Sequence, residues 1–279
     1  MRTSFHSGLL TGFPVLEAIK RIQDAGFDVV ELNAETLPWA QPHITPDTAR
    51  SVIEQISATG AVGSIAAHRE GLASRDRNRQ QEAIDWTVRL AKISVDLGAP
   101  TIHVIPGDEP ADSLLGNAGT PGDLGVFIES LLTIVERTES LGVTVGLEPI
   151  VRQLIATTDG ALKILDAVPG LGISFDPSHL EVATHDVTDA ARRLGSRTVI
   201  VALKDGEGSP DRFTFPELGT GDIDFIEMLR TLREARYDGD IVVEHEAHVF
   251  GDKRGVGEVL TQSYAFAQNV ISQSLTPLQ

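Results

Sequence analysis

The chain has 279 residues, 41% hydrophobic and 23% charged, enough for one large domain with a substantial core. It contains no cysteine, which excludes disulfides, zinc–thiolate centres and a cysteine nucleophile. With 40 acidic and 23 basic residues the formal net charge is −17, a surface that repels polyanions and argues against nucleic acid as a partner.

The N-terminal stretch "MRTSFHSGLLTGFPVLEAIKRI" has no long apolar region, and no segment reaches the length of a membrane span. A cytoplasmic protein with no membrane partner is therefore expected. After the opening run "RTSFH" one unit repeats: an amphipathic stretch ends in glycine, and a short apolar run rich in Val and Ile follows. "VLEAIKRIQDAG" leads to "FDVVELN", "TARSVIEQISATG" to "AVGSIAAH", and "AIDWTVRLAKISVDLG" to "APTIHVIPG". "DLGVFIESLLTIVERTESLG" then leads to "VTVGLEP", "GALKILDAVPG" to "LGISFDPSH", "DAARRLG" to "SRTVIVALKD", and "FIEMLRTLREARYDG" to "DIVVEHE". A last amphipathic segment, roughly 254–273, closes the chain.

Apolar spacings such as Val15, Ile19, Ile22 and Phe225, Leu229, Leu232 mark helices. Gly26, Gly60, Gly98, Gly142, Gly195 and Gly239 stand where a left-handed C-cap favours glycine. The short apolar runs suit parallel strands buried on both faces. Eight strands alternating with eight helices predict an α/β fold, a (β/α)8 TIM barrel in a single domain over residues 1–279. An open doubly wound sheet competes, but no G-x-G-x-x-G follows the first strand. Two Gly/Pro/Asp-rich segments, roughly 106–122 and 205–222, each follow a strand, so they belong to the face that carries active sites in barrels, as lids or as plain surface loops.

In a barrel, His68, His103, Glu148, Asp176 with His179, Lys204 with Asp205, and Glu244 all stand at C-terminal strand ends and face one basin. Carboxylates and imidazoles converging in a pocket are what a divalent metal needs. A mostly carboxylate set favours Mn²⁺ or Mg²⁺, with Co²⁺ or Zn²⁺ admitted by the nearby histidines. Glu31 is a candidate buried structural carboxylate, and His43, His185, His245 and His248 are loop or solvent-side histidines with no assigned role.

The succession "LEP", "FDPSH", "ALKD", "LGTGDIDFIEMLRTLREARYDGDIVVEHE", preceded by "GFDVVELN", resembles the xylose isomerase-like barrels over nearly the whole chain. That superfamily includes sugar phosphate isomerases and epimerases, ketose 3-epimerases, inosose isomerases and dehydratases, and apurinic-site endonucleases. The resemblance implies that Glu148, Asp176 and Glu244 bind the metal. It implies that His179 and Arg212 contact substrate hydroxyls, with His68, His103 and Lys204 also on the substrate. One position departs from the pattern: the fourth ligand is usually the histidine of an "HLKD" motif, and here Ala202 takes its place. Three carboxylates without that imidazole bind metal more weakly and lean toward Mn²⁺ or Mg²⁺, unless water, substrate or His179 completes the shell.

The resemblance further implies a metal-dependent sugar isomerase or epimerase. Its metal grips adjacent carbonyl and hydroxyl oxygens, and Glu148 and Glu244 exchange a proton through an enediolate. Expulsion of a β-hydroxyl from the same species would make a dehydratase or lyase. The nuclease reading draws on His68, His103, Glu148, Asp176, His179, Asp211 and Glu244, but Ala202 and Phe213 stand where it needs histidines. A non-catalytic barrel subunit is the remaining alternative. No basic phosphate cradle is visible, so the expected partner is an unphosphorylated small carbohydrate, with a homo-oligomer open.

Overall fold

The computed structural model describes residues 1–106 and 122–275, so the 106–122 segment lies almost wholly outside the described residues. Seven strands alternate with helices: β1 (Thr3–His6), β2 (Val29–Asn33), β3 (Val62–Ala66), β4 (Thr101–Val104), β5 (Thr144–Leu147), β6 (Gly172–Phe175) and β7 (Thr198–Leu203). A short antiparallel hairpin, β8 (Glu207–Ser209) and β9 (Arg212–Thr214), precedes the eighth barrel strand, β10 (Ile241–Val243). The eight close into a parallel barrel in the order β1-β10-β7-β6-β5-β4-β3-β2. The expected barrel, rather than the open sheet, is what forms.

The helices are α1 (Val15–Asp24), α2 (Arg50–Ser57), α3 (Arg77–Leu97), α4 (Leu124–Glu139), α5 (Thr158–Ala167), α6 (Pro177–Thr184), α7 (Val187–Leu194), α8 (Phe225–Glu234) and α9 (Val256–Ser274). Each lays an apolar stripe on the barrel. In α8 that stripe is Phe225, Met228, Leu229 and Leu232, each buried and worth roughly 1.5–3 kcal/mol relative to exposure. Side-chain oxygens of Asp76, Asp123, Thr157, Asp176, Asp186 and Asp224 accept from the first-turn N–H groups and set where the helices begin. No described helix is long and apolar enough to cross a membrane.

Three local expectations are corrected. Gly195 is not left-handed: its backbone continues into a 3-10 turn, and what demands glycine is space, since a Cβ there would meet Ala235 at 2.7 Å. At the end of α8 the positive φ belongs to Arg236 rather than Gly239. Finally, "PSHLEVAT" after β6 forms the additional helix α6, for which Asp176 is the N-cap and Pro177 opens the first turn. That helix begins at the mouth of the barrel, so it fixes the position of the site beneath it.

The 205–222 segment is anchored rather than loose. Asp205 is buried, and its carboxylate accepts from the N–H groups of Gly206 (3.0 Å), Gly219 (2.8 Å) and Gly221 (3.0 Å). Gly221 passes so close that a Cβ would lie 2.4 Å from Asp205 Oδ1. Arg152, left-handed at φ 67°, donates from Nε to the Pro210 carbonyl at 2.5 Å and from Nη2 to that of Asp211 at 2.8 Å, pinning the hairpin to the β5 side. Phe213 and Phe215 then join Val151, Val182 and Phe250 in a small apolar cluster.

Candidate active site

The residues at the C-terminal strand ends do converge. Glu148 directly follows β5, Asp176 follows β6, Lys204 follows β7 and Glu244 follows β10, while His68 lies two residues past β3. One pocket is walled by Glu35, His68, Glu148, His179, Lys204, Glu244 and Glu246, with Leu37, Ile105, Ile150 and Gln153 as its less polar side. Two polar clusters meet in it.

The first is built on Glu148. Its Oε2 lies 3.2 Å from His68 Nε2 and 3.2 Å from His103 Nδ1. The far side of each ring faces another carboxylate: His68 Nδ1 to Glu35 at 2.9 Å, and His103 Nε2 to Glu31 at 3.2 Å. Ser64 donates to Glu31 at 2.7 Å. Burial opposes charge on these groups, but Glu35 and Glu148 hold His68 well above its ordinary value, and Glu31 and Glu148 raise His103 to about 9. In return, Glu148 is held well below the usual carboxylate range by His103 and His68 against the penalty of burial, and Glu31 falls to about 2. These carboxylates favour the imidazolium form of both rings, and the rings in turn favour the ionised form of Glu148. Glu31 is, as expected, a buried structural partner.

The second cluster is built on Lys204. Its Nζ lies 2.8 Å from Asp176 Oδ2, 3.1 Å from Glu246 Oε2 and 3.3 Å from Glu244 Oε2, with the Phe215 ring 4.7 Å away. Burial works against the ammonium, but the three carboxyl groups outweigh it and hold Lys204 well above its ordinary value. One cation cannot satisfy all of them. Burial, with Glu246 and Glu148 nearby, leaves Glu244 raised well above the carboxylate range despite Lys204, and burial raises Glu246 in the same direction. Glu148 and Glu244 thus line one pocket with their acidities shifted in opposite directions.

Between the clusters stands His179, from α6. Its Nε2 is 3.7 Å from both Glu148 Oε1 and Asp176 Oδ2 and 3.4 Å from Lys204 Nζ, and its ring edge meets Phe215. Burial and the neighbouring ammonium lower it to about 4, so it is a neutral imidazole. Asp176 is fully buried. Its Oδ1 accepts from Ser178 N and Oγ at 2.8 and 2.7 Å, while Oδ2 makes no hydrogen bond and faces Lys204 as an ion pair only.

Among the described residues, two groups bring ligand atoms within 4.8 Å of one another: His68, His103 and Glu148; and Glu148, Asp176 and His179. In the first, each ring also faces a second carboxylate, Glu35 for His68 and Glu31 for His103. The second offers a divalent ion two carboxylates and an imidazole, with Asp176 Oδ2 buried, making no hydrogen bond and ion-paired to Lys204 at 2.8 Å. Glu244 belongs to neither group.

Arg212 is exposed on β9 and does not line the pocket, and Asp211 is exposed at the hairpin turn. His103 lies behind Glu148 rather than on the pocket wall. His43 bonds Ser7 and the Phe13 carbonyl, His185 is the left-handed C-cap of α6, and His245 is buried against Asp252, stacked on His248. Sequence reasoning missed Glu35 and Glu246. The signal for Glu246 was its place two residues beyond Glu244, the spacing that returns a side chain to one face of an extended chain.

A SgbU protein of Escherichia coli (strain K12), provisionally named an L-ribulose-5-phosphate 3-epimerase, is 28% identical over 254 residues, 82% of each chain. The structure of an L-ribulose 3-epimerase superposes with a TM-score of 0.75 at 19% identity, covering 98% of this chain and 95% of the other. That of an IOLI protein with a bound zinc atom gives 0.77 at 16% identity, covering 99% and 100%. The model of the xylose isomerase-like TIM barrel family matches residues 19–265, and the chain belongs to that family.

Proposed function

We propose that the chain is a divalent-metal-dependent epimerase or isomerase of an unphosphorylated ketose or related keto-sugar, working by proton transfer through an enediolate. The observation that carries this reading is the pairing of Glu148 with Glu244. Their strands, β5 and β10, stand three places apart in a ring of eight, so the two carboxyl groups approach one pocket from different sides. Glu148 is shifted toward its ionised form and Glu244 toward its protonated form, so one is placed to accept a proton and the other to give one.

In this mechanism Glu148 takes the proton from the carbon next to the carbonyl, and Glu244 delivers one from the other side. Glu148, Asp176 and His179 are the residues that would hold the metal, with Mn²⁺ the ion we favour. When bound, such an ion supplies Lewis acidity at the substrate carbonyl and stabilises negative charge on its oxygen. Names of relatives support the reaction class: SgbU is named for 3-epimerisation of a ketose phosphate, and the superposed L-ribulose enzyme for the same change on a free ketose. The choice of an unphosphorylated substrate rests on charge. Lys204 and His68, the cations on the described wall, are each already tied to carboxylates, leaving no free positive charge for a phosphate.

The test is incubation with Mn²⁺ and a panel of ketoses and inososes in D₂O, read by NMR. Deuterium should enter the carbon beside the carbonyl, and E244Q should slow that exchange by about 10² to 10⁴-fold. Loss of a hydroxyl after exchange would convert the reading to a dehydratase. No exchange with any panel member, together with cleavage of abasic DNA, would replace it with the nuclease.

A further inference from the structure

We propose that the substrate is a ketose already glycosylated at the end remote from its carbonyl, with the attached sugar lying on Trp86 in a groove between the β2–α2 connection and helix α3. The inference rests on the ketose reaction of the reading above and names the larger molecule that the surroundings of the pocket accommodate.

The pocket at Glu148 and Glu244 has a volume of only ≈ 40 Å³, whereas ligand pockets typically span about 300–1,000 Å³. It has room for a carbonyl and the carbon beside it, not for a whole ketose. A second cavity, of ≈ 590 Å³, adjoins it, and Glu35, His68 and Ile105 wall both. A third, of ≈ 560 Å³, continues the second and shares Arg69, Glu82 and Trp86 with it. Common walls make the three one cleft that leads outward from the reacting end. A ketose with its carbonyl at Glu148 therefore sends its remote carbons toward Trp86.

The chemistry of the groove selects what lies there. Trp86, on α3, is half-buried: its body packs against the core while it lines both outer cavities. An indole held in this way presents a negative ring face to the C–H face of a pyranose. The Arg69 guanidinium stands over the ring at 5.6 Å, near the outer limit of about 6 Å for such a contact, and makes no ion pair among the described residues. Glu82, one helical turn before Trp86, likewise makes no ion pair among the described residues. Other charges around the groove cancel in pairs: Arg79 with Glu70 at 2.9 Å, His68 with Glu35 at 2.9 Å, and Arg89 with Asp47. What remains is a fork of donors and a pair of acceptor oxygens beside an aromatic face, which suits neutral neighbouring hydroxyls. A phosphate there would meet the Glu82 carboxylate as well as Arg69, and a purely apolar group would leave both unpaired.

Exchange in D₂O by the Mn²⁺-loaded protein tests this, with fructose compared against isomaltulose and maltulose, two fructose disaccharides whose glucose is remote from the carbonyl. Wild type should exchange the disaccharides with a kcat/KM about 10-fold or more above fructose, the worth of one well-stacked aromatic contact. W86A should remove that preference, and W86F, which keeps an aromatic face, should retain most of it. The preference is a ratio within each variant, so a general weakening of the fold does not imitate its loss. R69A, on an exposed side chain, should also lower the ratio and carries the test if W86A fails to fold. A wild type without the preference, a preference equal in wild type, W86A and R69A, or a higher kcat/KM for fructose 6-phosphate than for isomaltulose overturns the inference. Saturation-transfer NMR with methyl α-maltoside, which has no carbonyl to react, separates the two readings. Maltoside binding that W86A abolishes, without exchange of any ketose, upholds the groove and removes the reaction proposed above. Exchange of fructose without maltoside binding removes the groove alone.

Discussion

Replacing Lys204 by Met keeps most of the side-chain volume but removes the ammonium that Asp176, Glu244 and Glu246 share. Whichever of these carboxyl groups is ionised, at 2.8, 3.3 or 3.1 Å, is attracted by about 5–6 kcal/mol at an effective dielectric constant near 20. Part of that attraction is offset by the cost of burying the charges, so the expected net destabilisation is about 3–5 kcal/mol, the usual result of stripping one partner from a buried ion pair. Urea unfolding of EDTA-dialysed wild type and K204M between pH 5 and 8.5 measures it. The sign with pH follows from the carboxyl groups. Glu244 and Glu246 are already raised in the folded state, and such groups support folding below their unfolded value of about 4.3 and weaken it as pH rises through the folded value. Losing Lys204 raises them further, so the K204M deficit should be smallest at the acid end and widen toward pH 8. Lys204 itself is raised, and its contribution persists below its unfolded value of about 10.4, so it does not titrate in this window. A deficit under about 1 kcal/mol at pH 8, or one that does not change with pH, would refute the shared-cation account.

Two further outcomes are expected. His103 is raised to about 9, so its contribution is complete below its unfolded value of about 6.5 and is lost as pH climbs toward 9. H103Q should therefore flatten the alkaline limb of the stability curve by roughly 3 kcal/mol, and an unchanged limb in urea titrations would show that the ring is neutral. A202H should tighten metal binding and favour Zn²⁺ or Co²⁺ over Mg²⁺ by competition titration, since it adds a nitrogen donor. Unchanged affinity and preference would place the side chain at 202 out of reach of the ion.

The fold was legible because buried parallel strands and glycine-ended helices repeat with a regular period, and that periodicity survives any change of loop. The site was half legible. Residues immediately after strands, such as Glu148, Asp176 and Glu244, are placed by topology alone. Arg212 was misplaced because the chain between β7 and α8 folds into a hairpin, and strand topology says nothing about which way a hairpin turns its side chains. Helix α6 had a readable start in Asp176 followed by Pro177, yet the run after it reads as the tail of a strand end. The partners of Lys204 were hidden for a different reason. A lysine at a strand end looks like a substrate cation, and only the distances to Asp176, Glu244 and Glu246 show it committed to protein.

Those distances also explain why two glutamates in equivalent positions differ. Each directly follows a barrel strand, so backbone geometry does not distinguish them. What differs is the neighbouring strands. Around the ring, β5 has β4 and then β3 beside it, and these bring His103 and His68 to Glu148. On the other side, β10 lies next to β7, which brings one ammonium, while the chain leaving β10 adds a competing carboxyl at Glu246. Two imidazoles on a single carboxylate shift Glu148 down; one ammonium divided among three acids leaves Glu244 shifted up. The difference between the two carboxyl groups therefore arises from strand order, and Glu246 is as much a part of it as the histidines.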